Sequence, residues 1–217
     1  MELLEFARGE GLRIATTIFL AGLIWRLVHL FMTIRKIDLS APRLSGERAG
    51  GLRAILSRFV HHSEFRERTR NGTIIAYTFH VGLAIVVFGG APHILFIQGF
   101  SGLSWTPLPN VVIHVAAAVT LAALISALVR RYLHPVLRML SNFDDYFSWL
   151  VTTLPVVTGL LAVAHIGARY ETLLALHILS FEVFLIWFPF GKLMHSFIAF
   201  GSRYTTGKTF SRRGAKV

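Results

Sequence analysis

The chain has 217 residues, of which 54% are hydrophobic and only 15% charged, with a mean hydropathy of +0.60. A soluble domain carries about a quarter charged residues, so this composition excludes an ordinary soluble globule and points to one compact integral membrane bundle, a single domain over 1–217. The net charge is +11 and there is no cysteine, which excludes disulfides, thiolate metal sites, protein-bound iron–sulfur clusters and covalent c-type heme attachment, and leaves ten histidines as nitrogen ligands.

A bilayer crossing needs about 20 apolar residues. The first such run, 12–34, reads LRIATTIFLAGLIWRLVHLFMTI; it is too long for the apolar region of a signal peptide, and no small-residue cleavage site follows it. Arg26 lies inside it, placed either to snorkel to the interface or to meet an anionic group such as a heme propionate. The basic loop 35–72 follows, with Arg35, Lys36, Arg43, Arg48, Arg53, Arg58, Arg66, Arg68 and Arg70. Within it GLRAILSRFVHH (51–62) has apolar residues at 52, 55, 56 and 59, which predicts a short amphipathic helix lying on lipid or against a partner.

The second span, about 73–98, carries His80 and His93. Thirteen residues put these roughly 140° apart on a straight helix. Gly89, Gly90 and Pro92 just before His93 predict a kink that swings it round. Gly82, Gly89 and Gly90 would clear space for a porphyrin or for a close helix neighbour. The connection 99–109 has no charge. The third span, about 110–129, carries His114, and Arg130, Arg131 and Arg138 follow it. The fourth, about 146–166, carries His165, with Gly159 and Pro155 marking a kink. The fifth, about 172–197, carries His177, Glu182, Lys192 and His195, and the tail 200–217 adds Arg203, Lys208, Arg212, Arg213 and Lys216 without an acid.

Basic loops therefore alternate with nearly uncharged ones. The positive-inside rule predicts an all-α, five-helix membrane bundle with the N-terminus outside and the C-terminus cytoplasmic, in the cytoplasmic (inner) membrane. The same rule accounts for the basic charge, so no nucleic-acid partner is implied.

Chain direction sorts the histidines by depth. His80 and His195 lie toward the cytoplasmic side, His93 and His177 toward the outer side. The eighteen residues from His177 to His195 make five turns of a continuous helix, so both side chains would share one face about 27 Å apart. Facing imidazoles on two helices suit axial ligation of b-type heme iron, and two such hemes would carry electrons across most of the bilayer. If the kink fails to bring His93 round, His114 or His165 would supply the outer ligand. Lys192, one turn before His195, is placed for a propionate contact or for interface snorkelling. Glu182, the one acid inside the fifth span, would relay protons at an outer quinone site among His93, His114 and His165, or simply satisfy a local polar group.

FHVGLAIVVFGG in the second span and FPFGKLMH in the fifth resemble the membrane cytochrome b, or gamma subunit, of respiratory nitrate reductase. PFGKLMH followed by GSRYTTG is more similar to the branch found in dissimilatory sulfite-reductase-associated and heterodisulfide-reductase-like membrane complexes. The resemblance covers about residues 12–200. It implies a diheme electron-transfer subunit that exchanges electrons between membrane quinone and a cytoplasmic iron–sulfur subunit of a larger complex, with His80 and His195 paired as ligands. Where the nitrate-reductase subunit has its second ligand in this span, the chain has Gly90, and His93 one turn on would replace it. Two other readings compete: a histidine-dependent metal or proton transporter, and a structural membrane anchor without cofactor.

Overall fold

The computed structural model describes residues 2–33, 41–43 and 46–215. Arg35, Lys36 and Lys216 of the basic segments, and the last residue of the 12–34 run, lie outside the described residues. The fold is all-α, and five of its helical segments are long and apolar enough to cross a membrane: Glu2–Met32, Ser63–Gly89, Asn110–Leu133, Phe143–Ala164 and Tyr170–Trp187. The chain is a multi-pass membrane protein.

The first segment consists of α1 (Glu2–Phe6), a π turn (Ala7–Gly11) and α2 (Leu12–Met32). Its buried positions are small: Ala7, Gly11, Ala15 and Gly22. They form a stripe that lets the helix dock closely, as is usual where bilayer helices meet. The docking surface is α9 (Tyr170–Trp187). Gly11 meets Glu182, and Gly22 meets Pro189 and Phe190 just beyond α9, so the two helices run parallel.

The basic loop holds α3 (Glu47–Ser57), and α4 runs over Arg66–Gly89. Gly90 is extended at φ −76°, ψ 127°, and a separate α5 (Ala91–Ser101) restarts with Pro92 in its first turn. Proline has no N–H to continue the preceding helix but suits a helix start, so the expected kink is a full break. After α5 come α6 (Asn110–Leu133), α7 (Pro135–Leu140) and α8 (Phe143–Ala164), the last opened by a capping box between Asn142 and Asp145. α4 packs on α6, α6 on α8, and α8 on α9. Hydroxyls inside these helices, including Thr120, Thr152, Thr153 and Thr158, donate to the carbonyl one turn back, which satisfies them within their own helix.

Of the two roles expected for the second-span glycines, Gly82 and Gly89 serve helix packing: a Cβ at Gly82 would strike Thr120 Oγ1, and one at Gly89 would crowd Leu108 and Ile113. One expectation needs correction: the fifth span is not continuous to His195. α9 stops at Trp187, Phe188–Gly191 turns, Lys192–Met194 forms a 3-10 turn, and α10 (His195–Arg212) begins at the histidine itself. Pro189 cannot carry the helix through. His177 and His195 therefore do not lie on one face of a continuous helix.

The loop helix α3 lies against α10. Gly207 meets Ala54 and Gly50, Gly51 meets Tyr204, and Glu47 pairs with Arg212 at 2.8 Å and Lys208 at 3.8 Å. These contacts gather the described basic residues of the loop helix and the C-terminal helix onto one end of the molecule, called the basic side below.

Candidate functional site

Four of the ten histidines are brought together as two pairs spanning the gap between the second and fifth spans. On the basic side the rings of His80 on α4 and His195 at the start of α10 have centroids 6.1 Å apart at an interplanar angle of 88°. On the far side His93 on α5 and His177 on α9 have centroids 6.0 Å apart at 45°. The breaks set both pairs. The one at Gly90 turns His93 toward α9, and the one at Phe188–Gly191 lets His195 face α4 despite the interrupted helix.

All four imidazoles are held in the same way. Nδ1 lies 2.7 Å from the Ala76 carbonyl in His80, 3.0 Å from Val86 in His93, 3.0 Å from Pro155 in His177 and 2.8 Å from Lys192 in His195. A carbonyl only accepts, so Nδ1 carries a proton in each, and the tautomer this fixes for the neutral ring is the one with its lone pair on Nε2. No hydrogen bond to any of the four Nε2 atoms occurs among the described residues. An imidazole tied by one nitrogen to a carbonyl, with the other free, is the usual arrangement for a metal-ligating histidine.

The spacing is informative as well. Two imidazoles bound on opposite sides of one metal ion, at about 2 Å each, would have their ring centres about 6 Å apart. Rotation about the metal–nitrogen axis leaves the interplanar angle free, so 88° and 45° both satisfy it. Side chains on α4–α5 and α9–α10 bridge a gap across which those helices do not pack closely, because α4 leans on α6 and α9 on α8 and α2. Each pair's donor chemistry and spacing would suit two nitrogen ligands to a heme iron.

His177 has a seat that sequence reasoning missed. Besides the Pro155 carbonyl it has Thr158 Oγ1 at 3.3 Å, and Gly159 lies directly beneath its ring. A Cβ at Gly159 would stand 3.1 Å from Cε1 and 3.2 Å from Nδ1. Gly159 and Pro155, read from sequence as a kink, form the floor and rim that hold the His177 ring.

His195 is anchored through Lys192. The Lys192 carbonyl receives His195 Nδ1–H, its N–H donates to Asp144 Oδ1 at 3.1 Å, and its ammonium pairs with Asp145 at 2.5 Å. Asp145 also pairs with Arg131 at 3.0 Å. The Asp144 carboxylate accepts from Ser148, whose hydroxyl in turn accepts from Trp187 Nε1. The ammonium expected at a propionate is thus engaged with Asp145. Arg26 lines a cleft of about 490 Å3 together with Lys192, Phe190, Ile198 and His195; no ion pair to Arg26 occurs among the described residues.

The remaining candidates are not drawn into the pairs. His114 is exposed on α6. His165 ends α8 at φ 56°, bonds the Val163 carbonyl and stacks on Tyr170 at 5.3 Å. Glu182 is 5% exposed and faces Gly11 of the first span. Five helical residues put it roughly 140° around α9 from His177. No hydrogen bond or ring contact joins His93, His114, His165 and Glu182 into one site among the described residues. Nor does any group of three histidine, aspartate or glutamate side chains converge there as a metal site.

No family model matches the chain. A protein of Nitratidesulfovibrio vulgaris (strain Hildenborough) is 29% identical to it over 214 residues, covering 96% of this chain and 94% of that protein. The two are distant homologues along nearly their whole lengths.

Proposed function

We propose that the chain is a membrane cytochrome b, the quinone-linked electron-transfer subunit of a respiratory redox complex, of the nitrate reductase gamma-like kind and nearer its sulfite-reductase-associated or heterodisulfide-reductase-like branch. One observation carries this reading: two inter-span histidine pairs at 6.0 and 6.1 Å, every member fixed through Nδ1 with Nε2 free. Two imidazoles without a third ligand suit axial coordination in a porphyrin, whereas zinc centres take three or four protein ligands.

His80 and His195 would hold one heme b, and His93 and His177 the other. Bound there, the two groups would supply one-electron carriers stacked across the bilayer between the quinone pool and a cytoplasmic iron–sulfur partner. The chain's own contributions are ligation and spacing. Arg26 offers a cation in the His195 cleft, where a propionate carboxylate would lie. The distribution of basic residues supports placing this side in the cytoplasm of a cell with the chain in its inner membrane. There the helix pair α3–α10, with Arg48, Arg53, Arg58, Arg203 and Lys208, would meet the partner subunit.

In nanodiscs, a reduced quinol analogue added to the oxidised protein is expected to produce the absorption bands of reduced heme b within seconds. A coloured protein that only dithionite reduces would contradict the quinone link. A narrower expectation follows from the His177 seat. Gly159→Val places branched carbon where the ring now lies, and overpacking of this kind is poorly accommodated in a tight interior. The variant is expected to lose the far-side heme while keeping the basic-side one, read as a fall from two hemes per chain to about one.

A further inference from the structure

Glu182 sits in the second half of α9, about 18 Å along the helix from Tyr170. Its side chain is buried, and Oε1 has no hydrogen-bond partner. A carboxylate left in this state inside a membrane is costly and in general functional. The place it occupies has been cleared for it. A Cβ at Gly11 would lie 2.7 Å from Oε2, 3.0 Å from Oε1 and 3.2 Å from Cδ. Gly11 closes the π turn Ala7–Gly11, the single interruption in an otherwise α-helical first span. π turns recur at functional positions because they shift the backbone bonds from i+4 to i+5 and open the helix locally.

The charged groups around it offer no partner. On the first span Glu2, Glu5, Arg8, Glu10 and Arg13 are exposed, and none of them pairs with Glu182 among the described residues. On α9 the nearest titratable groups are Glu171 at its start and His177 on another face. On α8, Asp144 and Asp145 are engaged with Lys192 at the basic end, and His165 lies at the far end. No ion pair to Glu182 occurs among the described residues.

We propose that Glu182 in the π-turn notch is a proton-holding site of this bundle, separate from the histidine pairs, which takes up a proton when negative charge enters the interior and releases it when that charge leaves. This rests on the electron-transfer reading above. The step is balanced at the carboxylate alone: one O–H bond forms with a proton drawn from water at the membrane surface, no carbon bond changes, and nothing is oxidised or reduced at Glu182. The proton offsets the charge of one added electron, which a low-dielectric interior would otherwise resist. The site differs from the expected quinone-side relay in its position: it lies between the first and fifth spans, against Gly11.

Infrared difference spectroscopy of the whole chain in nanodiscs tests this with two triggers, a pH step and dithionite reduction. The expected result is a carboxylic C=O band that appears and vanishes with pH, rises on reduction, and is absent from Glu182→Gln with heme content unchanged. Gly11→Ala, which pushes on the carboxyl without removing it, is expected to move the band's position. A band constant under both triggers, or difference spectra unchanged in Glu182→Gln, would overturn the proposal. A colourless protein whose Glu182 band still responds to pH would sink the heme reading and the electron coupling, and leave a reversible proton site standing.

Discussion

Alanine at His177 is expected to abolish heme binding at the far-side pair and leave the basic-side pair filled, so that the purified variant carries about one heme per chain. Alanine at His195 or at His80 is expected to do the reverse. The physical reason is ligand count. A b-type heme has no thioether bond to the protein, so its retention depends on two iron–nitrogen bonds and the surrounding apolar contacts. Removing one imidazole leaves an open coordination position, and the opposite ring, fixed through Nδ1 to a backbone carbonyl, cannot follow to compensate. His93→Ala carries most information of the four, because its role depends on the Gly90 break. It is expected to behave like His177→Ala, and His114→Ala and His165→Ala are expected to leave heme content unchanged. Measuring heme per chain across the six variants checks the whole set. Retention of both hemes in His93→Ala, with loss in His114→Ala, would contradict the pairing.

Asp145→Ala is expected to have the second largest effect, on stability and on the basic-side pair together. Its carboxylate is 8% exposed, closes the capping box of α8 with Asn142, and pairs with both Arg131 and Lys192. Removing it deletes a cap worth about 1 kcal/mol and leaves two cations facing each other. Those cations are partly exposed, Arg131 at 34% and Lys192 at 49%, so solvent screens them and the pairs contribute less than fully buried ones. A total loss of about 2–3 kcal/mol is reasonable. Lys192 also supplies the carbonyl that orients His195, so the basic-side heme is expected to bind more weakly. Asp145→Asn keeps the cap and is expected to lose less. Thermal unfolding in detergent, followed beside heme content, separates the two effects.

These expectations rest on features that were unequally visible in the sequence. The five spans are legible from runs of apolar residues, because bilayer length sets a threshold that short-range variation does not blur. The histidine pairing by depth is legible too, since chain direction alone orders the residues. The break at Gly90 follows from Gly89, Gly90 and Pro92. The break at Phe188–Gly191 was equally written in Pro189 and Gly191, yet the eighteen-residue spacing suggested a continuous helix. His195 reaches His80 because the turn redirects it.

Other parts depend on contacts between distant segments. Gly159 beneath His177 is a packing fact across α8 and α9, and nothing local to GLLAVAH distinguishes it from a kink. The pairing of α3 with α10 rests on Gly50, Gly51 and Gly207 meeting residues more than a hundred positions away. An amphipathic pattern shows that a helix has an apolar side, and the structure supplies what covers it. The π turn at Ala7–Gly11 has no sequence signature beyond two glycines, and only Glu182 in the notch gives it meaning.

The most direct measurement of the central claim is a pyridine hemochrome assay on the intact chain purified from membranes, with iron and zinc counted on the same sample. The expected result is two hemes b per chain, iron in equal number and no zinc. A colourless protein, or one holding zinc in place of iron, would contradict it.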